Sequence, residues 1–138
     1  MARRSTADPA ALTKASRPAG SVVLPIAITE PEWQATVAEI AKIGGWKRAH
    51  FRPARTDKGW RTPGQYEGGK GWPDLVLVHP HRQLVLFREL KSARGRLDDD
   101  QARWRKWLTE AGADYDVWTP ADEELAIHVL LGPRASRR

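Results

Sequence analysis

Apolar positions along this chain change rhythm several times, and each change marks an element. Trp33, Val37, Ile40 and Ala41 recur at helical spacing, so they define one apolar face of a first helix. Its start is written in Thr29-Glu30-Pro31-Glu32, with Thr29 as N-cap, Pro31 inside the first turn and Glu32 at the capping-box position; Gly44-Gly45 ends it. Trp46–Arg52 reads as a first strand. Pro73–Val78 and Gln83–Leu90 are apolar on both alternating faces, as central strands covered by helices on two sides would be, and His79-Pro80-His81 turns one into the other. Asp98–Ala111 reads as a second helix, because three aspartates suit its positive start and Gly112 its end. Asp114–Trp118 is a fourth strand, and Thr119-Pro120 opens a last helix that runs to about Leu131. The order α-β-β-β-α-β-α predicts one small α/β domain over residues 29–131 without an internal repeat.

The remaining chain lacks such rhythm. Pro53–Lys70 is polar, carries glycine and proline, and is too long for a mere connector in a compact domain. Residues 1–28 and 132–138 read as basic mobile tails, with the role of Ser21–Ile28, a short strand or a lead into the first helix, left open.

Charge sharpens this division. The formal net charge is +6, but residues 21–131 hold sixteen basic and sixteen acidic side chains, so the excess resides in the tails. Within the balanced part, residues 47–70 carry seven basic side chains (Lys47, Arg48, Arg52, Arg55, Lys58, Arg61, Lys70) against Asp57 and Glu67. That concentration points to a nucleic acid as partner. No apolar run is long enough to span a bilayer and no secretory signal is apparent, which leads to the expectation of a soluble, non-membrane protein. Cysteine is absent, so disulfides and thiolate metal sites are excluded, in keeping with a reducing cytoplasm. Any metal must be held by oxygen or histidine.

The candidate chemistry lies at the ends of the central strands. Residues two apart in a strand share a face, so Glu89 and Lys91 point the same way, and a hairpin lays Asp74 beside Glu89. Two converging carboxylates repel each other, and a hard cation such as Mg²⁺ or Mn²⁺ relieves that repulsion while accepting phosphate oxygens. The plainer alternatives are a strand-end ion pair for Glu89 and Lys91 and a strand-entry turn for Pro73-Asp74. Gln101 stands one turn before Trp104 and two before Leu108, on the inward face of the second helix, where it either lines a cleft or is a satisfied interior amide. Glu30 shares the buried face with Trp33 and Val37, whereas Glu32 shares the solvated face with Thr36 and Glu39. Glu32 is therefore a cap, and Glu30 is either a further site carboxylate or a first-turn partner of the helix dipole.

His50, Arg52 and Arg55 lead into the basic loop, as phosphate contacts or simply as a solvated face; His50 is also a candidate base. His79 and His81 sit in a turn away from Glu89 and are discounted as ligands. Of the seven tryptophans, Trp33, Trp104 and Trp107 fall at core spacing, while Trp60 and Trp72 stand beside glycines near the loop, positioned to stack on bases.

Taken together, Pro73-Asp74 and Glu89-Leu90-Lys91 resemble the two signature pieces of the PD-(D/E)XK nuclease superfamily. More narrowly, Thr29-Glu30, Trp33-Gln34, Gly71-Trp72-Pro73-Asp74-Leu75, Glu89-Leu90-Lys91-Ser92, Gly95-Arg96-Leu97, Gln101, Trp104 and Val117-Trp118 before Pro120 resemble the virus-type replication-repair nuclease (VRR-NUC) family. The resemblance runs from about residue 29 to 131 and implies a restriction-endonuclease-like core, a small central mixed sheet flanked by helices. It implies metal ligation by Asp74 and Glu89, with the Leu90 backbone carbonyl and Glu30 as further ligands, and Mg²⁺ or Mn²⁺ as the cofactor. Lys91 would orient the attacking water or offset developing charge, and Gln101 would support Lys91 or the metal's surroundings. DNA would be gripped by His50, Arg52, Arg55, Lys58, Arg61, Lys70, Arg94 and Arg96. The extended Pro53–Lys70 stretch departs from the family's shorter members. Stand-alone relatives resemble dimeric junction-resolving or structure-specific endonucleases of bacterial or phage-infected cytoplasm. The expected activity is therefore metal-dependent hydrolysis of branched, Holliday-junction or flap DNA, by a homodimer without a small-molecule cofactor. The competing expectations are a sequence-reading restriction or defence nuclease, a non-catalytic DNA-binding module of the same fold, and RNA cleavage.

Overall fold

The computed structural model describes residues 28–51, 54–56, 59–61 and 70–132. The N-terminal tail except Ile28, and all of the C-terminal tail beyond Gly132, lie outside the described residues. Helix α1 (Glu30–Ile43) begins at the Thr29 cap, whose side chain accepts from the Glu32 amide while Glu32 Oε2 accepts from the Thr29 amide at 2.7 Å. Strand β1 (Lys47–His50) follows, then β2 (Ala54–Thr56) and β3 (Gly59–Arg61), β4 (Leu75–His79), β5 (Leu84–Leu90), helix α2 (Asp99–Glu110), β6 (Asp114–Trp118), and α3 (Glu123–Leu131). The chain enters α3 through a single 3₁₀ turn, Pro120–Asp122, which is tighter than the continuous helix read from the sequence.

Four strands form the central sheet in the order β1-β4-β5-β6; β4 runs antiparallel to both β1 and β5, and β6 lies parallel to β5. The sheet is mixed because β5 and β6 are joined by α2, a crossover, whereas β4 and β5 share a tight turn. β2 and β3 pair only with each other, so the stretch read as an irregular loop contains a short hairpin. Its segments of three residues are too short to produce a legible alternation.

One face of the sheet carries the core. Leu75, Leu77, Leu86, Leu90 and Trp118 are buried against Trp33, Val37, Ile40 and Ala41 of α1 and Ala126, Val129 and Leu130 of α3. Each buried Val, Leu or Ile among them contributes about 1.5–3 kcal/mol relative to exposure. Arg88 is fully enclosed on this face, its guanidinium 4.6 Å from the Trp118 ring and 3.0 Å from Asp114. The other face is covered by α2 only near the strand ends that carry Asp74 and Glu89. There Trp72 meets Phe51, Phe87 and Trp104 edge-to-face at ring distances of 6.4, 5.7 and 4.9 Å. Farther along, the paired Val78 and Val85 remain 36 % and 47 % exposed, so the expectation of cover on both sides holds for only half of that face. α2 itself has no buried residue, and Trp107, read as packing, is 42 % exposed.

The pole remote from Asp74 is pinned by hydrogen bonds. His79 bonds the Gly44 carbonyl through Nε2 and accepts from the Arg82 amide, Arg82 donates to the Val129 carbonyl, and Trp46 Nε1 donates to the Leu130 carbonyl at 2.7 Å. His79 and His81 thus belong to a structural turn, as their spacing suggested. Among the described residues, no helix is long and apolar enough to cross a membrane.

Candidate active site

The antiparallel register of β4 and β5 pairs Leu75 with Arg88, which sets Asp74 beside Glu89. The two residues are tied in both directions: the Asp74 amide donates to Glu89 Oε2 at 3.2 Å, and the Leu90 amide donates to Asp74 Oδ2 at 3.2 Å. Lys91, two residues beyond Glu89 on the same face, brings Nζ to 3.7 Å from Glu89 Oε1. Helix α2 supplies the third side. Gln101 Nε2 donates to Glu89 Oε1 at 2.8 Å, while its Oε1 accepts from the Asp98 amide at 3.0 Å, so one amide serves both as helix cap and as carboxylate support. Both ends of the Gln101 amide are occupied, which fixes its orientation.

Gly71 explains how α2 comes so close. Its φ of +104° lies in the region favouring glycine, and an added Cβ would stand 2.3 Å from the Asp100 carbonyl carbon and 2.6 Å from the Gln101 nitrogen. The first turn of α2 therefore rests directly on the backbone that leads into Asp74.

Burial and like charge dominate the electrostatics. The Glu89 carboxyl is 1 % exposed, and desolvation, followed by repulsion from Asp74, pushes its pKa up to about 9; Lys91 opposes the shift without cancelling it. Glu30, at the first turn of α1, is raised by partial burial, lowered by Lys91 and raised by Asp74, so it lies within electrostatic reach of both. Tyr115 was overlooked in the sequence. It lies on the same face as Glu89, opposite Phe87, and burial together with the Glu89 carboxylate raises its phenol above the ordinary range. The available signal was its place in β6, two residues before Val117, the neighbour of Glu89.

Four residues singled out from the sequence, Asp74, Glu89, Lys91 and Gln101, are thus joined by direct contacts, and Glu30 lies within electrostatic reach of Lys91 and Asp74. A pair of carboxylates that retains a proton at neutral pH is short of positive charge, which a divalent cation would supply. Among the described residues no three Asp, Glu, His or Cys side chains form a ready cage. Two carboxylates with open positions suit Mg²⁺, which keeps several waters and takes few protein ligands. The oxygen-only donor set fits the ion.

The nucleic-acid candidates are less concentrated. His50 is half-buried in β1 opposite Leu75, near the site; Lys70, Arg94 and Arg96 are exposed on the loops flanking it. Arg52 and Lys58 lie outside the described residues, and Arg55 and Arg61 are placed only by the backbone of β2 and β3. Trp72, half-buried, meets three aromatic neighbours edge-to-face and so takes part in the packing beside α2. The side chain of Trp60 lies outside the described residues.

A comparison with the curated proteins finds no match. A solved structure described as a VRR-NUC domain is similar in fold, with a TM-score of 0.54 and 21 % identity over 74 % of this chain and 96 % of that one. The family model for the VRR-NUC domain matches residues 38–121, which includes Asp74, Glu89, Lys91 and Gln101 and stops short of Glu30. That match spans more than half of the sequence and coincides with the mixed sheet and its carboxylate edge, so the chain belongs to the VRR-NUC family of nuclease-type domains.

Proposed function

We propose that this protein is a Mg²⁺- or Mn²⁺-dependent DNA endonuclease acting on branched DNA, four-way junctions or flaps, in replication, recombination or repair. The observation that carries the reading is the hydrogen-bonded Asp74–Glu89 pair with Lys91 3.7 Å away, at the ends of the central strands of a nuclease-type domain.

Asp74 and Glu89 would hold the cation, with the Leu90 carbonyl and Glu30 as further oxygen donors. Bound there, the cation supplies a Lewis acid for phosphate oxygens and makes a nearby water more acidic. The remaining work falls to the chain. Lys91, with Nζ only partly exposed, offers donors to the attacking water and to the phosphate oxygen that gains charge. Gln101 holds Glu89 in place through an amide that cannot turn without breaking the α2 cap. In the reaction, the water oxygen bonds to phosphorus, one P–O ester bond breaks, and the departing alkoxide gains a proton as the water loses one. A two-fold dimer would place one such site on each of two strands, as two cuts in a symmetric junction require.

The test is a cleavage panel of four-way junction, flap, nicked, single-stranded and linear duplex DNA in Mg²⁺ and in Mn²⁺. Junction or flap cleavage that disappears in Asp74→Ala and Lys91→Ala, with DNA binding retained, is the expected result. Unchanged cutting by a rigorously purified Asp74→Ala protein would sink the mechanism, and sequence-specific fragments from linear DNA would redirect it to restriction or defence.

A further inference from the structure

The described body of the molecule is electrically two-sided. Residues 42–50, the end of α1 and all of β1, contain Lys42, Lys47 and Arg48 and no acidic residue. Residues 98–124, which build α2, β6 and the start of α3, hold nine acidic side chains against three basic ones. β1 and β6 are the opposite edges of the sheet, so the topology turns this separation in sequence into a separation in space. On the acidic side, Arg103 pairs with Asp100, Lys106 with Glu110 and Arg88 with Asp114. Lys42, Lys47 and Arg48 form no ion pair among the described residues.

These three cations surround a cleft of about 540 Å³ between α1 and β1, floored by Ala41, Gly45 and Trp46, with Glu39 as its carboxylate. Like charges held on a rigid turn repel one another, and an external polyanion relieves that repulsion. Strand β1 links the cleft to the site. β1 runs from Lys47 to His50 and the Phe51 amide donates to the Asp74 carbonyl at 2.9 Å, so cleft and carboxylates are separated by about 10 Å of strand, about three base-pair rises of duplex. A nucleic acid approaching over the opposite edge would meet Asp114 and Asp116 of β6.

We infer that the cleft bounded by Lys42, Lys47 and Arg48 is a second nucleic-acid contact, which holds the phosphodiester backbone of the duplex flanking the bond to be cut. Cleavage beside this contact rests on the nuclease reading, and the contact itself on charge and topology. The DNA then lies over the β1 edge, with the β6 edge turned away from it.

The experiment is anisotropy of a labelled four-way junction and a linear duplex in Ca²⁺, so that binding is read without relying on turnover, between 50 and 200 mM salt. Lys42→Gln, Lys47→Gln and Arg48→Gln combined should reduce the slope of log K against log salt by about 2–3, since each phosphate contact contributes about 0.9. Affinity at 100 mM salt should fall tenfold or more. Arg103→Gln with Lys106→Gln, which removes cations from the acidic side, should change affinity less than twofold. A wild-type slope in the triple variant overturns the contact, and so does an equal loss per charge in the control pair. If the wild-type chain proves unable to cleave, the nuclease reading fails while the slope in Ca²⁺ still decides the contact.

Discussion

Glu89 shows how a single side chain can carry opposing demands. Its folded pKa of about 9 stands above the ordinary 4.5, so the folded state binds the proton more tightly than the unfolded chain. The resulting contribution to stability is complete below about pH 4.5 and is lost as pH rises towards 9. In metal-free buffer the melting temperature should therefore fall between pH 5 and 9, and Glu89→Gln, which stays neutral, should flatten that fall. An identical pH slope in the variant would assign the effect to other groups. Mg²⁺ should raise the melting temperature of the wild type by mass action and leave Asp74→Asn unchanged, a reading independent of catalysis. Arg88 poses the opposite case, a charge kept buried by a partner. Arg88→Ala removes both the Asp114 pair and the contact with Trp118, and should cost about 3 kcal/mol in urea unfolding, at the low end for a buried pair because Asp114 is 25 % exposed.

Among the elements, α2 decides whether the site exists. It contributes no fully buried residue, so its seat depends on the Asp98–Gln101 cap, the Trp72–Trp104 contact and the approach to Gly71. Gly71→Ala should cost several kcal/mol, because positive φ and a collision with backbone act together. Gly112→Ala serves as the comparison: its φ is +82° but nothing lies within 4 Å of the added Cβ, so only strain of about 1 kcal/mol is expected. Equal losses in chemical denaturation would show that the packing of α2 on Gly71 contributes nothing. The long elements were legible because period and caps agreed: Thr29 with Glu32 for α1, and the unbroken apolar run of β5. The double duty of Gln101 was half legible. Its inward face shows in the helical spacing, while its second partner comes from the Asp98-x-x-Gln101 capping box. The hairpin β2–β3 was hidden by its brevity, and the packing role of Trp72 was hidden because its three ring partners come from distant parts of the chain.

Across the whole molecule, the sheet has a rigid pole and a chemical pole. His79, Arg82 and Trp46 close the first with hydrogen bonds to the ends of α1 and α3; Asp74, Glu89, Lys91, Gln101 and Glu30 gather at the second. Net charge alone gave a misleading picture of the body between them, which is balanced in number but divided in space. Substrate geometry was not legible at all, since a surface that reads the shape of a substrate follows no periodic rule. The tryptophans beneath α2 have a use beyond packing. Trp72, Trp104 and Trp107 form a ladder with ring centres 4.9 and 5.2 Å apart and planes near perpendicular. Indoles this close exchange excitation, so the ladder should give an intense near-ultraviolet circular dichroism band without any label. Because two of its three rungs ride on α2 and the third adjoins Gly71, that band is an optical gauge of whether the helix is seated over the carboxylates.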